Sequence, residues 1–309
     1  MSRPEYVPLN ELSTCIVGET VIWTYTELVE KVSRHYDYSV VEFPNEPTSS
    51  LDTLLVIGGG MVIDRAKLWR KQNCPKATLI AIPSIWGSGA ENTPISVLNV
   101  DGKKEIFVGE DLLPDVRAVW PELAESLPDN LVRFACGDTW AHALEGFLSP
   151  IAGKELRSDL AKLINVLIST PIANSPEWFE LSAQAAAGQA QSSVGLIHGL
   201  AHVLEGEINK SNEGTYIGHA QLCSTFLWPV LQFNVSMSDR IEPLFLEFEI
   251  DKTKVFNIAK QLFDKKVYEL VLHLLEAQWR NILRSPTTRT NCTLVRPNHS
   301  SYFMESAFN

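Results

Sequence analysis

Thr53-Leu54-Leu55-Val56-Ile57-Gly58-Gly59-Gly60-Met61-Val62-Ile63-Asp64-Arg65-Ala66-Lys67 carries the decisive reading of this chain. Its first five residues form an unbroken apolar and β-branched run, as in a strand covered on both faces of a parallel sheet. Three glycines follow, and then helical spacing through Ile63, Ala66 and Lys67. Strand, glycine turn and helix together can bind phosphate. Glycine lets a ligand approach the backbone, and the free N–H groups at a helix start attract negative charge. The competing reading is a tight turn that only needs positive φ. The run is not the Gly-x-Gly-x-x-Gly dinucleotide fingerprint.

Working outward, residues 77–82 read as the next buried strand, ending at Pro83. The loop Ser84-Ile85-Trp86-Gly87-Ser88-Gly89-Ala90-Glu91 follows it. Two loops at the carboxyl end of one parallel sheet mark where ligands bind in open α/β folds. Upstream, Cys15-Ile16-Val17 is a short apolar run, 24–35 has helical spacing, and 38–43 is rich in strand formers. Downstream, 95–100 and 105–108 read as strands joined at Asp101-Gly102, with turn signals at Pro114-Asp115 and Pro121-Glu122. This β-α-β order predicts a doubly wound sheet.

After Leu127-Pro128-Asp129-Asn130 the pattern changes to helices, expected over 131–148, 154–169, 178–207, 218–233 and 254–283. Residues 284–309 read as extended or irregular chain. The expected architecture is an α/β cofactor-binding domain over residues 1–128 and an all-α domain over 129–309.

Four of the seven histidines lie between residues 142 and 219. Asp138 and His142 are four residues apart, as are His198 and His202, so each pair shares a helix face. His219 opens a further apolar helix. Taken singly, these are a surface ion pair and ordinary buried histidines with partners. Taken together, carboxylate and imidazole on several facing helices form a set suited to Fe²⁺ or Zn²⁺.

Composition narrows the function. A net charge of −11 without a basic run argues against nucleic acid. No stretch of about 18 apolar residues is present, so no membrane span is expected. The polar N-terminal dozen residues do not read as a signal peptide. Five scattered cysteines without a Cys-x-x-Cys pair fit reduced thiols and a cytoplasmic location.

Residues 58–67, 82–91 and the segment 113–128 resemble, in order, the phosphate loop, the second cofactor loop and the inter-domain segment of the iron-containing (group III) alcohol dehydrogenases, within the dehydroquinate synthase-like superfamily. Asp138-Thr139-Trp140-Ala141-His142-Ala143-Leu144-Glu145-Gly146 is similar to that family's DxxxHAxE helix, and His198 to His202 with His219 to its HxxxH…H segment. The resemblance implies metal ligation by Asp138, His142, His198 and His219, with Fe²⁺ or Zn²⁺ as the ion. It implies a proton-relay role for His202. It implies NAD(H) or NADP(H) held by Gly58, Gly59, Gly60, Asp64, Lys67, Ser84, Ile85 and Ser88, with Lys104 lining the cleft. Ile85-Trp86 replaces smaller family residues and predicts a more crowded nicotinamide side.

The expected activity is hydride transfer between NAD(P) and a small alcohol or aldehyde, in a homodimer or larger homo-oligomer. The partners expected are a small-molecule substrate, with no nucleic acid and no membrane. The alternatives are a cyclase or lyase of the dehydroquinate synthase type, and a non-catalytic relative serving as a complex subunit.

Overall fold

The apolar runs form the strands, and the strands set the position of both loops. In the computed structural model, which describes residues 3–48, 50–100, 103–211 and 216–304, the order begins β1 (Glu5–Tyr6), β2 (Thr20–Thr24), α1 (Thr26–His35), β3 (Ser39–Glu42), β4 (Thr53–Gly58) and α2 (Gly60–Asn73). It continues with β5 (Thr78–Pro83), β6 (Ile95–Val100), β7 (Lys103–Val108) and β8 (Val116–Arg117). Six strands form one sheet in the order β1-β8-β5-β4-β2-β3, with every pairing parallel. Every residue of β4 is buried, because helices and loops cover both faces of a parallel sheet. One side of the sheet packs Trp23, Leu54, Val56, Ile63 and Trp69, and the other Ile22, Leu55, Ile57, Ile80 and Ile82.

Register places Leu54 beside Leu79 and Ile22 beside Leu55. The chain leaves β2 towards β3 on one side and leaves β4 towards β5 on the other. The topological switch point therefore lies between β2 and β4. A crevice outside the carboxyl ends of the strands opens at such a point.

The helical unit contains α3 (Asp129–Leu148), α4 (Lys154–Ser169), α5 (Glu177–Ala190), α6 (Leu196–Ser211), α7 (His219–Met237), α8 (Ile241–Glu247), α9 (Lys252–Leu262), α10 (Lys265–Arg284), α11 (Pro286–Arg289) and α12 (Ser300–Met304). From Phe134 onward α3 is buried on every side. Gly137 lets α7 approach it, since a Cβ there would stand 2.4 Å from the Ser224 Cβ. Gly199 does the same for α6, where a Cβ would meet Thr288 Oγ1 at 2.0 Å.

Tertiary contacts divide the chain into two compact units. The first comprises Met1–Asn99, Glu105–Ser126 and Pro176–Ala183; the second comprises Val100–Lys104, Leu127–Ser175 and Gln184–Asn309. The start of α5 thus belongs with the α/β unit, although it lies well beyond residue 128. Gly87 N donates to Ser182 Oγ at 2.8 Å and Asn92 Nδ2 to the Ala183 carbonyl at 2.9 Å, which ties this piece to the loop after β5.

Several expected elements differ. Residues 9–15 form a 3₁₀ helix, and the strand lies at Thr20–Thr24, beyond the Cys15–Val17 run. The helix expected over 178–207 is two helices, and so is the one over 254–283. The second break has a local cause: Asp264 Oδ1 accepts from Val267 N at 3.2 Å and caps α10. The two-residue β8, the helix α8 and the short helices α11 and α12 of the tail had no counterpart in the reading of the sequence. The expected Asp101-Gly102 turn lies outside the described residues. No described helix is long and apolar enough to cross a membrane.

Candidate metal centre and nucleotide loops

Helices α3, α6 and α7 bring the polar residues of the second unit together. Asp138 is 2% exposed, and its Oδ1 has no hydrogen-bond partner among the described residues. Three imidazoles surround that oxygen: His142 Nδ1 at 3.9 Å, His198 Nε2 at 3.8 Å and His219 Nε2 at 3.9 Å. His142 Nε2 also lies 3.1 Å from His198 Nε2. Two ligands that share an ion at about 2.1 Å stand at most about 4.2 Å apart, and the separations of Asp138 Oδ1 from His198 and His219 fall under that limit. The His142 nitrogen nearer Asp138 is not the one nearer His198, so His142 is not drawn into the tightest donor group. A buried carboxylate oxygen left unsatisfied is costly, so the oxygen and its ring of imidazoles fit a divalent cation.

The outer contacts fix how His198 is presented. Glu145, three residues after His142 on α3, is buried. Its Oε2 lies 2.7 Å from His198 Nδ1, and its Oε1 accepts from Ile197 N at 2.6 Å. Asn291 Oδ1 accepts from Leu196 N at 3.2 Å. Glu145 and Asn291 therefore satisfy the N–H groups that the first turn of α6 leaves open. This capping separates α6 from α5, where the sequence shows only a run of mostly small, uncharged residues. With its Nδ1–H donating to Glu145, His198 turns the lone pair of Nε2 toward Asp138, which is how carboxylate partners orient metal-binding histidines.

Burial pushes the Glu145 carboxyl up to about 7, opposed by the N–H groups at the start of α6. Burial, reinforced by the His142 charge, pulls His198 down to about 3. Burial also holds His202 and His219 well below the usual imidazole range. Neutral imidazole is the form that ligates metal.

His219 faces a second carboxylate. Its Nδ1 lies 3.7 Å from Glu205 Oε2, which also pairs with Lys104 Nζ at 3.0 Å. Tyr216 donates its hydroxyl to Glu205 Oε1 at 2.7 Å. His202 stands to one side of the Asp138 cluster. It is half-buried, and its ring stacks on that of His219 with centroids 5.0 Å apart.

Reading the sequence missed three residues here: Cys223, Glu145 and Glu205. Cys223 Sγ lies 3.4 Å from His219 Nε2. The donor atoms of Asp138, His198, His219 and Cys223 all lie within 4.8 Å of one another. The signal for Cys223 was its four-residue offset from His219 on one helix.

In the first unit, Gly59 precedes α2 without a side-chain cap, which leaves N–H groups of its first turn open. A Cβ at Gly60 would stand 2.5 Å from Ser88 Oγ, and one at Gly59 would be 3.6 Å from Ile85 Cγ2. The two loops thus touch through glycine. Gly87 at φ 112° and Gly89 at φ 55° take backbone angles that glycine adopts without strain. Ser84 N donates to the Gly58 carbonyl at 3.0 Å.

Trp86 packs edge-on against Phe179 and is 3% exposed, so its bulk is absorbed in the core. Asp64 and Lys67 also turn inward. Lys67 Nζ donates to Asp64 Oδ1 at 3.0 Å and to the Ile95 carbonyl at 2.6 Å, while Asp64 Oδ2 accepts from Val97 N at 3.0 Å. Both residues therefore clamp the start of β6 beneath the glycine turn.

Residues 24–121 match the iron-containing alcohol dehydrogenase family. The 1-propanol dehydrogenase PduQ of Salmonella typhimurium is 29% identical over 195 residues, which cover 58% of this chain and 51% of that protein. The NADPH-dependent butanol dehydrogenase of Clostridium saccharobutylicum is 29% identical over 216 residues, covering 60% and 54%. The chain thus spans about half the length of the curated relatives it matches. Among solved structures, the sulfoacetaldehyde reductase of Bifidobacterium kashiwanohense in complex with NAD⁺ shares the fold, with a TM-score of 0.77 at 18% identity over 99% of this chain and 98% of that one. A 1,3-propanediol oxidoreductase gives a TM-score of 0.78 at 17% identity over 98% of both chains.

Proposed function

We propose that this chain, whose residues 24–121 match the iron-containing alcohol dehydrogenase family, is a metal-dependent oxidoreductase moving a hydride between NAD(P) and a small alcohol or aldehyde. The observation that carries this reading is Asp138 Oδ1, buried without a hydrogen-bond partner among the described residues and ringed by three imidazoles. In this reading Asp138, His142, His198 and His219 hold the metal. Gly58, Gly59 and Gly60, with Ser84, Ile85 and Ser88, receive the nucleotide phosphates and the adjoining sugar. Asp64 and Lys67 act indirectly by holding that turn rigid.

When bound, the metal supplies Lewis acidity to the substrate oxygen, and the nicotinamide accepts or returns the hydride. The protein's own part is to orient and to manage the proton. Glu145 keeps His198 in one tautomer, and Glu205 faces the outer nitrogen of His219. His202, neutral and outside the ligand ring, accepts the proton that leaves the alcohol oxygen. Burial and the positive charge of Lys104 both keep it neutral. In the reverse direction it returns that proton to the oxygen of the aldehyde.

The test loads purified protein with Fe²⁺ or Zn²⁺ and follows reduced nicotinamide with short-chain alcohols and aldehydes. Activity that is lost on chelation and restored by the ion is expected. Full hydride transfer by metal-free protein would overturn the proposal. A stoichiometric metal with no net change in nicotinamide would favour the cyclase or lyase alternative.

A further inference from the structure

We propose that Cys223 is a further ligand of the same metal, so that the donor set of this chain includes a thiolate. The inference rests on the metal reading above and adds to it a donor of a different chemical class. Cys223 lies one turn after His219 on α7, so both side chains leave the same helix face. Its Sγ is 3.4 Å from His219 Nε2. A sulfur ligand at about 2.3 Å and an imidazole at about 2.1 Å from one ion stand at most about 4.4 Å apart, and this separation lies inside that limit. The thiol is fully buried and forms no disulfide.

A cysteine that merely filled space would be surrounded by apolar atoms. This one shares a space with the orphaned Asp138 Oδ1, His198 Nε2 and His219 Nε2, all four donor atoms lying within 4.8 Å of one another. His219 Nδ1 lies 3.7 Å from Glu205 Oε2, beyond hydrogen-bond range, while its Nε2 is turned toward the Cys223 sulfur. When the ion enters, the S–H bond breaks, the proton leaves to solvent, and the sulfur's electron pair forms the bond to the metal. Thiolate is a soft ligand that favours Zn²⁺ over Fe²⁺ relative to a set of nitrogen and oxygen alone.

X-ray absorption at the zinc edge of the zinc-loaded full chain tests this without relying on activity. The wild type is expected to show one sulfur at about 2.3 Å beside nitrogen and oxygen at about 2.0–2.2 Å. Cys223→Ser is expected to keep one zinc per chain and lose the sulfur shell. In competition experiments its preference for zinc over iron is expected to fall.

One bound zinc with only nitrogen and oxygen neighbours would overturn the role of Cys223 and leave the metal reading intact. Failure of the wild type to bind zinc or iron would overturn both. A sulfur shell that persists in Cys223→Ser would assign it to another cysteine and also overturn the proposal. If the serine variant does not fold, Cys223→Asp, which keeps a ligand at the position, gives the same comparison, and the wild-type spectrum alone still distinguishes a sulfur shell from none.

Discussion

Replacing Glu145 with glutamine changes one oxygen to an amide nitrogen at the point where α6 meets α3. The carboxylate accepts from two donors, Ile197 N at 2.6 Å and His198 Nδ1 at 2.7 Å. An amide has one acceptor and one donor, so it can serve only one of them. If its oxygen stays on Ile197 N, its NH₂ faces His198 Nδ1. The imidazole must then move its proton to Nε2, the nitrogen 3.8 Å from Asp138 Oδ1. That tautomer has no lone pair for the metal. Loss of such an outer partner costs about 10–100-fold in metal affinity, or about 1.4–2.7 kcal/mol. If the amide oxygen instead keeps His198, the N–H of Ile197 loses its acceptor inside the protein, at a cost of about 1–3 kcal/mol in stability. Glu145→Gln is therefore expected to weaken zinc binding in competition with a chromophoric chelator, or to lower the free energy of unfolding in urea by that amount. A variant with wild-type zinc affinity and wild-type stability would refute the positioning role of Glu145.

The two histidines of α6 are expected to separate cleanly: His198→Ala loses the metal, whereas His202→Ala keeps it and slows hydride transfer by about 10²–10⁴-fold, as read by metal analysis and steady-state rates. Glu91 is buried, which raises its carboxyl to about 7. The folded state thus holds a proton that the unfolded chain releases near 4.5. Its contribution is complete below about pH 4.5 and is lost as pH rises to about 7, at about 1.4 kcal/mol per pH unit. Stability measured in urea against pH for Glu91→Gln is expected to lack this decline, and parallel wild-type and variant curves would contradict it. Lys67→Met strands the buried Asp64 carboxylate without its cation and is expected to cost about 3–5 kcal/mol of unfolding free energy; a loss below about 1 kcal/mol would contradict the clamp.

The parts of the fold that announce themselves in the sequence are those whose burial is complete along one element. Residues 54–57 are apolar throughout because both faces of β4 are covered, and the glycine turn follows because α2 must start close to the neighbouring loop. His198 and His202 show as a pair because helical geometry brings residues four apart together. Other features are set by distant partners and leave no local trace. The break between α5 and α6 lies in a run of small residues, and it is enforced by Glu145 and Asn291 from elsewhere in the chain. Asp64 and Lys67 sit in a phosphate-loop pattern, yet β6 occupies their polar atoms. Cys223 was readable as the i+4 neighbour of His219, but a search for paired cysteines does not detect a single thiol among imidazoles. The helices α11 and α12, of four and five residues, are too short for periodicity to mark.

The central claim is that Asp138 and the histidines around it hold one divalent ion. Metal analysis of wild type and Asp138→Ala, each loaded with Fe²⁺ or Zn²⁺ and then desalted, tests it most directly. One ion per chain in the wild type and none in the variant is the expected result. A wild type that retains no ion, or an Asp138→Ala variant that retains a full equivalent, would contradict the claim.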